Sequence, residues 1–286
     1  MSRPHIEFIQ SQIIPFKQGL YGGGRPEIQT RVLSIDVQDG SSSNILKFPP
    51  GWNRSEPHIV DSDEEFFVLE GEMEINGIIY GKHAYAHLPK GYLRKYHGTQ
   101  IGSVVLTFFS EEPTIRPSNT IGAGFNPRRL VEYIDTQNMS GETGPRKHMN
   151  SGNWDPSGTV HKKLFHDPES NELTWLIGMM PGWWTSRSEV HPVVEEEFAI
   201  LGDICFPVGV MRDGGYFWRP PGIEHGPFAT WGGALHLCRC RGGGFSTEWK
   251  ETDGPDWNPK YKPILPDEYQ AYLKAAEFNH DKEPGY

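Results

Sequence analysis

A chain of 286 residues exceeds the usual length of one compact domain and suits two modules of roughly 120 residues each. A formal charge of −10 excludes a surface built to hold nucleic acid or an anionic membrane, which needs a concentrated basic field. It leaves a small molecule or a protein as the partner. Residues 1–10 carry no apolar run behind a basic start, and no stretch nears the roughly 20 apolar residues of a membrane helix, so a cytoplasmic location is expected.

The 33 Gly and 24 Pro, with 12% aromatic residues, favour short strands joined by tight turns, hence an all-β chain. Three cysteines, Cys205, Cys238 and Cys240, are too few to staple it with disulfides. In chain order, SEPH at 55–58 precedes the apolar run 66–69, and MEINGIIY at 73–80 places Asn76-Gly77 between two alternating segments, a type I′ hairpin signal. LPKGYLR follows at 88–94, and 103–109 reads as a buried strand. From 111 to about 171 apolar periodicity fades, which predicts a linker with one short helical piece at 127–133. Beyond it come SEVH at 188–191, EEFAILGD at 196–203, RPPGIEH at 219–225, a strand at 234–240 and a terminal helix at 266–278.

The later motifs repeat the earlier ones in the same order, at offsets of 133, 132 and 131 residues, and Gly102 matches Gly233. Such a series marks a duplicated module, with 1–125 as the first copy and 126–286 as linker plus second copy. In a strand, residues two apart share a face, so Glu189 and His191 point together; Glu196 follows, and His225 is delivered by the turn Pro220-Pro221-Gly222. Two imidazoles with one or two carboxylates form a set suited to a divalent metal. Its competitor is a solvated acidic edge at Glu195, Glu196 and Glu197. Glu189 stands either as a fourth ligand, as an orienting partner of an imidazole, or as a general base. A rival soft site lies at His236, Cys238 and Cys240, which alternate onto one strand face, with Cys205 as a further member. Arg187, Arg219, Trp184 and Tyr216 are candidate substrate contacts.

These motifs resemble those of the cupin superfamily (RmlC-like). Its first motif is G, five residues, HxH, three or four residues, E, six residues, G; its second is G, five residues, PxG, two residues, H, three residues, N. In the second copy His191 fits the later His, Glu196 the Glu, and Pro220, Gly222 and His225 the PxGxxH, while Glu189 replaces the earlier His and the final Asn is absent. The chain is also similar to the cupin part of ChrR-type anti-sigma factors. The resemblance implies two tandem cupin jelly-roll (double-stranded β-helix) barrels joined by an irregular linker, with a short C-terminal helix. It also implies one divalent metal ion, iron first, with Mn, Zn or Ni as alternatives. The first copy departs further: His58 and Glu64 are present, Val60 occupies a His position, Arg94 stands where His225 stands, and His97 comes three residues late. Its alternatives are a structural module whose Arg94 pairs with Glu64, or a pocket for an anion or a metal. Function then divides between an iron dioxygenase acting on a diketone, aromatic or carboxylate-bearing substrate, a non-redox isomerase, decarboxylase or hydrolase, and a ligand sensor without turnover. Exposed strand edges leave room for a homodimer.

Overall fold

The computed structural model describes residues 3–19, 27–143 and 158–275. It is all-β apart from 3-10 turns and one short helix, Asp267–Ala275, and divides into two compact units. Residues 14–139 build one unit, and 4–13 with 140–285 build the other. Each is a jelly-roll assembly of antiparallel strands with open edges.

In the first unit a seven-stranded sheet runs from Val131–Asp135 through Ala84–Leu88, Glu64–Gly71, Ser103–Phe109, Ser42–Phe48 and Gln29–Ile35 to Lys17–Gln18. A four-stranded sheet holds the expected hairpin, Met73–Ile75 paired with Ile78–Tyr80. Its turn residues Asn76 and Gly77 have φ of 54° and 86°, as a type I′ turn requires. Phe66, Val68, Val105, Leu46, Phe48 and Leu88 fill the core.

The second unit has an eight-stranded sheet whose centre is Gly215–Arg219, Val194–Phe206, Ala234–Arg241 and Leu173–Met179. Its edge strand is Ile6–Gln10, which runs antiparallel to Gly215–Arg219 and is buried along its whole length. The beginning of the chain, expected in the first module, thus completes the second. No local signal marks this, because the pairing spans some two hundred residues.

The stretch expected to be an irregular linker carries several strands among its described residues. Ile115–Pro117 pairs with His58–Val60, Val131–Asp135 extends the first sheet, and Thr159–His166 pairs with Leu173–Met179. These are peripheral strands whose exposed faces accept polar residues, which hid the period of two. The helical piece shrinks to a 3-10 turn, Pro127–Arg129, capped by the Asn126 side chain, which accepts from the Arg128 N–H. The terminal helix forms with Asp267 and Glu268 in its first turn and Lys274 in its last, the charge order that a helix dipole favours. Residues 276–278 of the expected helix lie outside the described residues.

The duplication holds in register at one offset, 131 residues. Leu88 and Phe109 flank Glu64 as Arg219 and Cys240 flank Glu195. Gly71 and Gly202 both have positive φ, 72° and 83°. A Cβ on either would stand 2.0 Å from the carbonyl oxygen of Gly102 or Gly233 respectively. Glycine is obligatory at both places. Gly202→Ala should therefore destabilise the protein by about 2 kcal/mol or more, combining left-handed strain with a backbone clash. Gly182→Ala, at φ 75° with open space around it, should cost only about 1 kcal/mol. Urea unfolding of the two variants side by side checks the ranking.

Candidate metal centre

Four residues of the second unit converge. The strand Arg187–Val190 carries Glu189, whose N–H and carbonyl bond those of His225 at 2.8 and 3.0 Å. His191 follows two residues later, on the same side. The ligand atoms of Glu189, His191 and His225 lie within 4.8 Å of one another. Glu195, on the strand Val194–Phe206, brings its carboxylate to 3.6 Å from His191 Nε2 and 3.1 Å from His225 Nε2.

Both imidazoles are set in one tautomer. His191 Nδ1 donates to the Ser246 carbonyl and His225 Nδ1 to the Ile223 carbonyl, each at 2.9 Å. A carbonyl only accepts, so each Nδ1 bears a hydrogen and each Nε2 points inward, where the neutral ring would offer a lone pair. Both Nε2 atoms are buried, and neither makes a hydrogen bond of acceptable angle. The nearby carboxylate oxygens therefore surround them without satisfying them. This is the arrangement that metal-binding histidines show, with the outer nitrogen anchored and the inner one presented.

Charge points the same way. Arg219 is buried and clamped from two sides: Nε and Nη2 donate to both oxygens of Glu7 at 2.6 and 2.5 Å, and Nη1 donates to Glu195 at 2.9 Å. Its guanidinium lies 3.5 Å from the centroid of the Phe217 ring. Glu7 and Glu195 share that one guanidinium and Glu189 lies beside the same imidazoles, an excess of two negative charges that a divalent cation would neutralise. With no such ion, a proton takes part of that role. Burial and Arg219 oppose charge on His225, yet Glu195 and Glu189 outweigh them and push its pKa up to about 9. Burial alone would raise the Glu195 pKa; His225, Arg219 and His191 instead hold it far below the usual carboxylate range. Glu7 falls to about 2 because Arg219 overcomes the same burial penalty.

Glu196, expected as the carboxylate ligand, points away. Adjacent residues of a strand face opposite sides. Glu196 pairs with Arg239 and accepts from the Tyr216 hydroxyl at 2.9 Å. That contact takes Tyr216 out of the site as well. Spacing to glycine would have chosen correctly: six residues separate Glu195 from Gly202, and only five separate Glu196 from it. Arg219, expected to contact substrate, is instead locked behind Glu195, while Arg187 bonds Glu251 at 2.6 Å and Trp184 is 52% exposed. Phe228 packs on His225 with centroids 5.8 Å apart, while the wall beside His191 comes from two rings that the sequence did not single out. Phe245 packs on His191 with centroids 4.6 Å apart, and Trp175 packs on Phe245 at 5.4 Å.

The rival soft site does not assemble. Glu197, one step further along the inner face, takes His236 Nδ1 at 2.9 Å and the Cys238 thiol at 3.0 Å, while Cys205 donates to the Trp257 carbonyl at 3.7 Å. Burial raises the pKa of all three cysteines, so they stay protonated and poor ligands. In the first unit Arg94 Nη1 lies 2.7 Å from Glu64 Oε2, and His97 is packed against Trp52, Phe48 and the Met73 sulfur.

Two outcomes follow. The pKa of His225 is raised, so in chelated protein its contribution to stability is complete below pH 6.5 and is lost as pH climbs through about 9. The pKa of Glu195 is lowered, so its contribution holds above pH 4.5 and is lost as pH falls further. Melting temperature against pH should fall on both flanks, and His225→Gln should flatten the alkaline one. Glu7→Gln leaves Arg219 short of a counter-charge and lets it draw on Glu195. It should cost about 3 kcal/mol of stability and weaken metal affinity roughly tenfold, read by melting and by metal titration.

Residues 18–246 match the family model described as "Domain of unknown function (DUF4437)". No curated protein matches the chain. Among solved structures, a candidate dioxygenase from Nostoc punctiforme is similar over 84% of this chain and 87% of its own, with a TM-score of 0.74 and 16% identity. The oxalate decarboxylase of Lactobacillus farciminis, solved as a formate complex, has a TM-score of 0.54 at 11% identity and is covered over 88% of its length by 85% of this chain. That of Bacillus subtilis at pH 4.6 has 0.51 at 10% identity, with 85% and 78% covered. At these identities the likeness is one of fold, that of the two-module cupins. With four-fifths of its length matched, the chain belongs to the DUF4437 family.

Proposed function

We propose that the second module is the active centre of a metal-dependent enzyme, a mononuclear non-haem iron dioxygenase acting on a small organic substrate. The observation that carries this reading is the pair of anchored imidazoles presenting Nε2 toward the carboxylates of Glu189 and Glu195. His191, His225 and Glu195 would hold the ion as a two-histidine, one-carboxylate set. Iron in such a set supplies open positions for substrate and dioxygen and the one-electron chemistry that joins them.

The chain's own groups then divide the work. Arg219 fixes one oxygen of Glu195 and keeps that carboxylate ionised, so Glu195 serves as a permanent anion and not as a proton carrier. Glu189 is the more exposed carboxylate and has no guanidinium holding it; it is the group placed to take a proton from a substrate enol, phenol or acid. Phe245 and Trp175 give the substrate an apolar wall and keep water away from the imidazole of His191. A second reading has its own support. Two carboxylates make the donor set hard and anionic, which suits Mn or Zn and a non-redox proton transfer by Glu189, as in an isomerase, decarboxylase or hydrolase.

Elemental analysis of gently purified protein separates these. Near-stoichiometric iron is expected, lost in His191→Ala, His225→Ala and Glu195→Gln but kept in Glu196→Gln, with oxygen uptake on adding diketone or catechol substrates. Zn or Mn without oxygen uptake would favour the non-redox reading. Iron without turnover of any of these substrates would leave a ligand sensor, as the ChrR-type resemblance implies. Protein that neither carries nor takes up a metal would sink the proposal.

A further inference from the structure

The first module reproduces the backbone of the second site and changes its side chains. His58 exchanges two backbone hydrogen bonds with Arg94 at 2.9 Å each, as Glu189 does with His225. Gly91 N–H bonds the Val60 carbonyl at 2.9 Å, as Gly222 bonds that of His191 at 2.8 Å. Glu64 holds the register position of Glu195 on the corresponding strand. Residue for residue, His58, Val60, Glu64 and Arg94 occupy the places of Glu189, His191, Glu195 and His225.

We infer that Arg94 is a built-in cation standing where the second module would hold a metal ion, so the chain has one metal centre and a first module closed by an ion pair. Arg94 is 1% exposed, and its Nη1 lies 2.7 Å from Glu64. A guanidinium has no lone pair and keeps its charge in proteins, so it cannot ligate an ion and repels one. The rest of the shell agrees. Opposite Glu195 stands Arg219, the clamp behind the carboxylate; opposite Glu64 stands Leu88. The positive charge has moved from behind the carboxylate to in front of it, and the rear clamp is absent because Arg94 already neutralises Glu64. Val60, buried and apolar, removes the second imidazole. The donor set present does not fit a metal, although His58 and Glu64 remain.

This makes the site recoverable, and the test uses the whole chain with Co2+ as the probe, read by its visible d–d absorption and by elemental analysis. Wild type should bind one Co2+ per chain, and His191→Ala/His225→Ala none. Adding Arg94→His to that double variant supplies a second imidazole beside His58 and Glu64, and should raise uptake from none to about one per chain. If that variant lacks a cooperative melting transition, Val60→His/Arg94→His in the same background, with three imidazoles and Glu64, decides. Two ions per wild-type chain, or one retained by the double variant, would overturn the inference. So would folded Arg94→His protein that takes up none. Wild type binding none, with uptake gained on Arg94→His, would instead count against the second-module proposal alone.

Discussion

The second module depends on the burial of Arg219 between Glu7 and Glu195. A guanidinium removed from water must be surrounded by acceptors and opposite charge, and here a strand from the start of the chain supplies half of what it needs. Glu7 takes the two outer N–H groups in bidentate form, the arrangement in which arginine and carboxylate fit best. An N–H on Nη1 then orients Glu195. The position of one carboxylate at the imidazoles is thus set by a residue nearly two hundred positions away, and closure of the fold and assembly of the site are one event.

Comparison of the modules shows how one backbone accommodates two solutions to the same electrostatic problem. Each has a buried glutamate, Glu64 or Glu195, whose charge is shielded from bulk solvent. In the first module a guanidinium in front of the glutamate satisfies it directly. In the second a guanidinium behind it holds one oxygen, which His225 Nε2 also approaches, and His191 Nε2 lies beside the other. The first arrangement is complete within the chain. The second gathers more negative charge than its guanidinium balances, and the same carboxylates raise the pKa of His225.

Much of this was legible in the sequence, for physical reasons that differ from residue to residue. The duplication was visible because turns and close backbone approaches need particular residues: the Pro-x-Gly of LPKGYLR and RPPGIEH, and Gly102 and Gly233. His191 and His225 stood out because their spacings match a single motif, where a lone histidine would more often be an ordinary polar residue. Glu195 was missed because three consecutive glutamates offer both faces of a strand, and only the count to Gly202 distinguishes them. Glu7 was invisible, since its partner is contiguous in space and remote in sequence. The strand Thr159–His166 was hidden by its lysines, which a peripheral strand tolerates on its open face.

The central claim is that His191, His225 and the carboxylates beside them, not the buried thiols of the same inner face, hold a single ion. X-ray absorption at the edge of the bound metal tests it most directly. The account predicts a shell of nitrogen and oxygen only, with the multiple-scattering signature of two imidazoles, lost on substituting either histidine. Sulfur in that shell would place the ion at Cys238 or Cys240 and contradict the account.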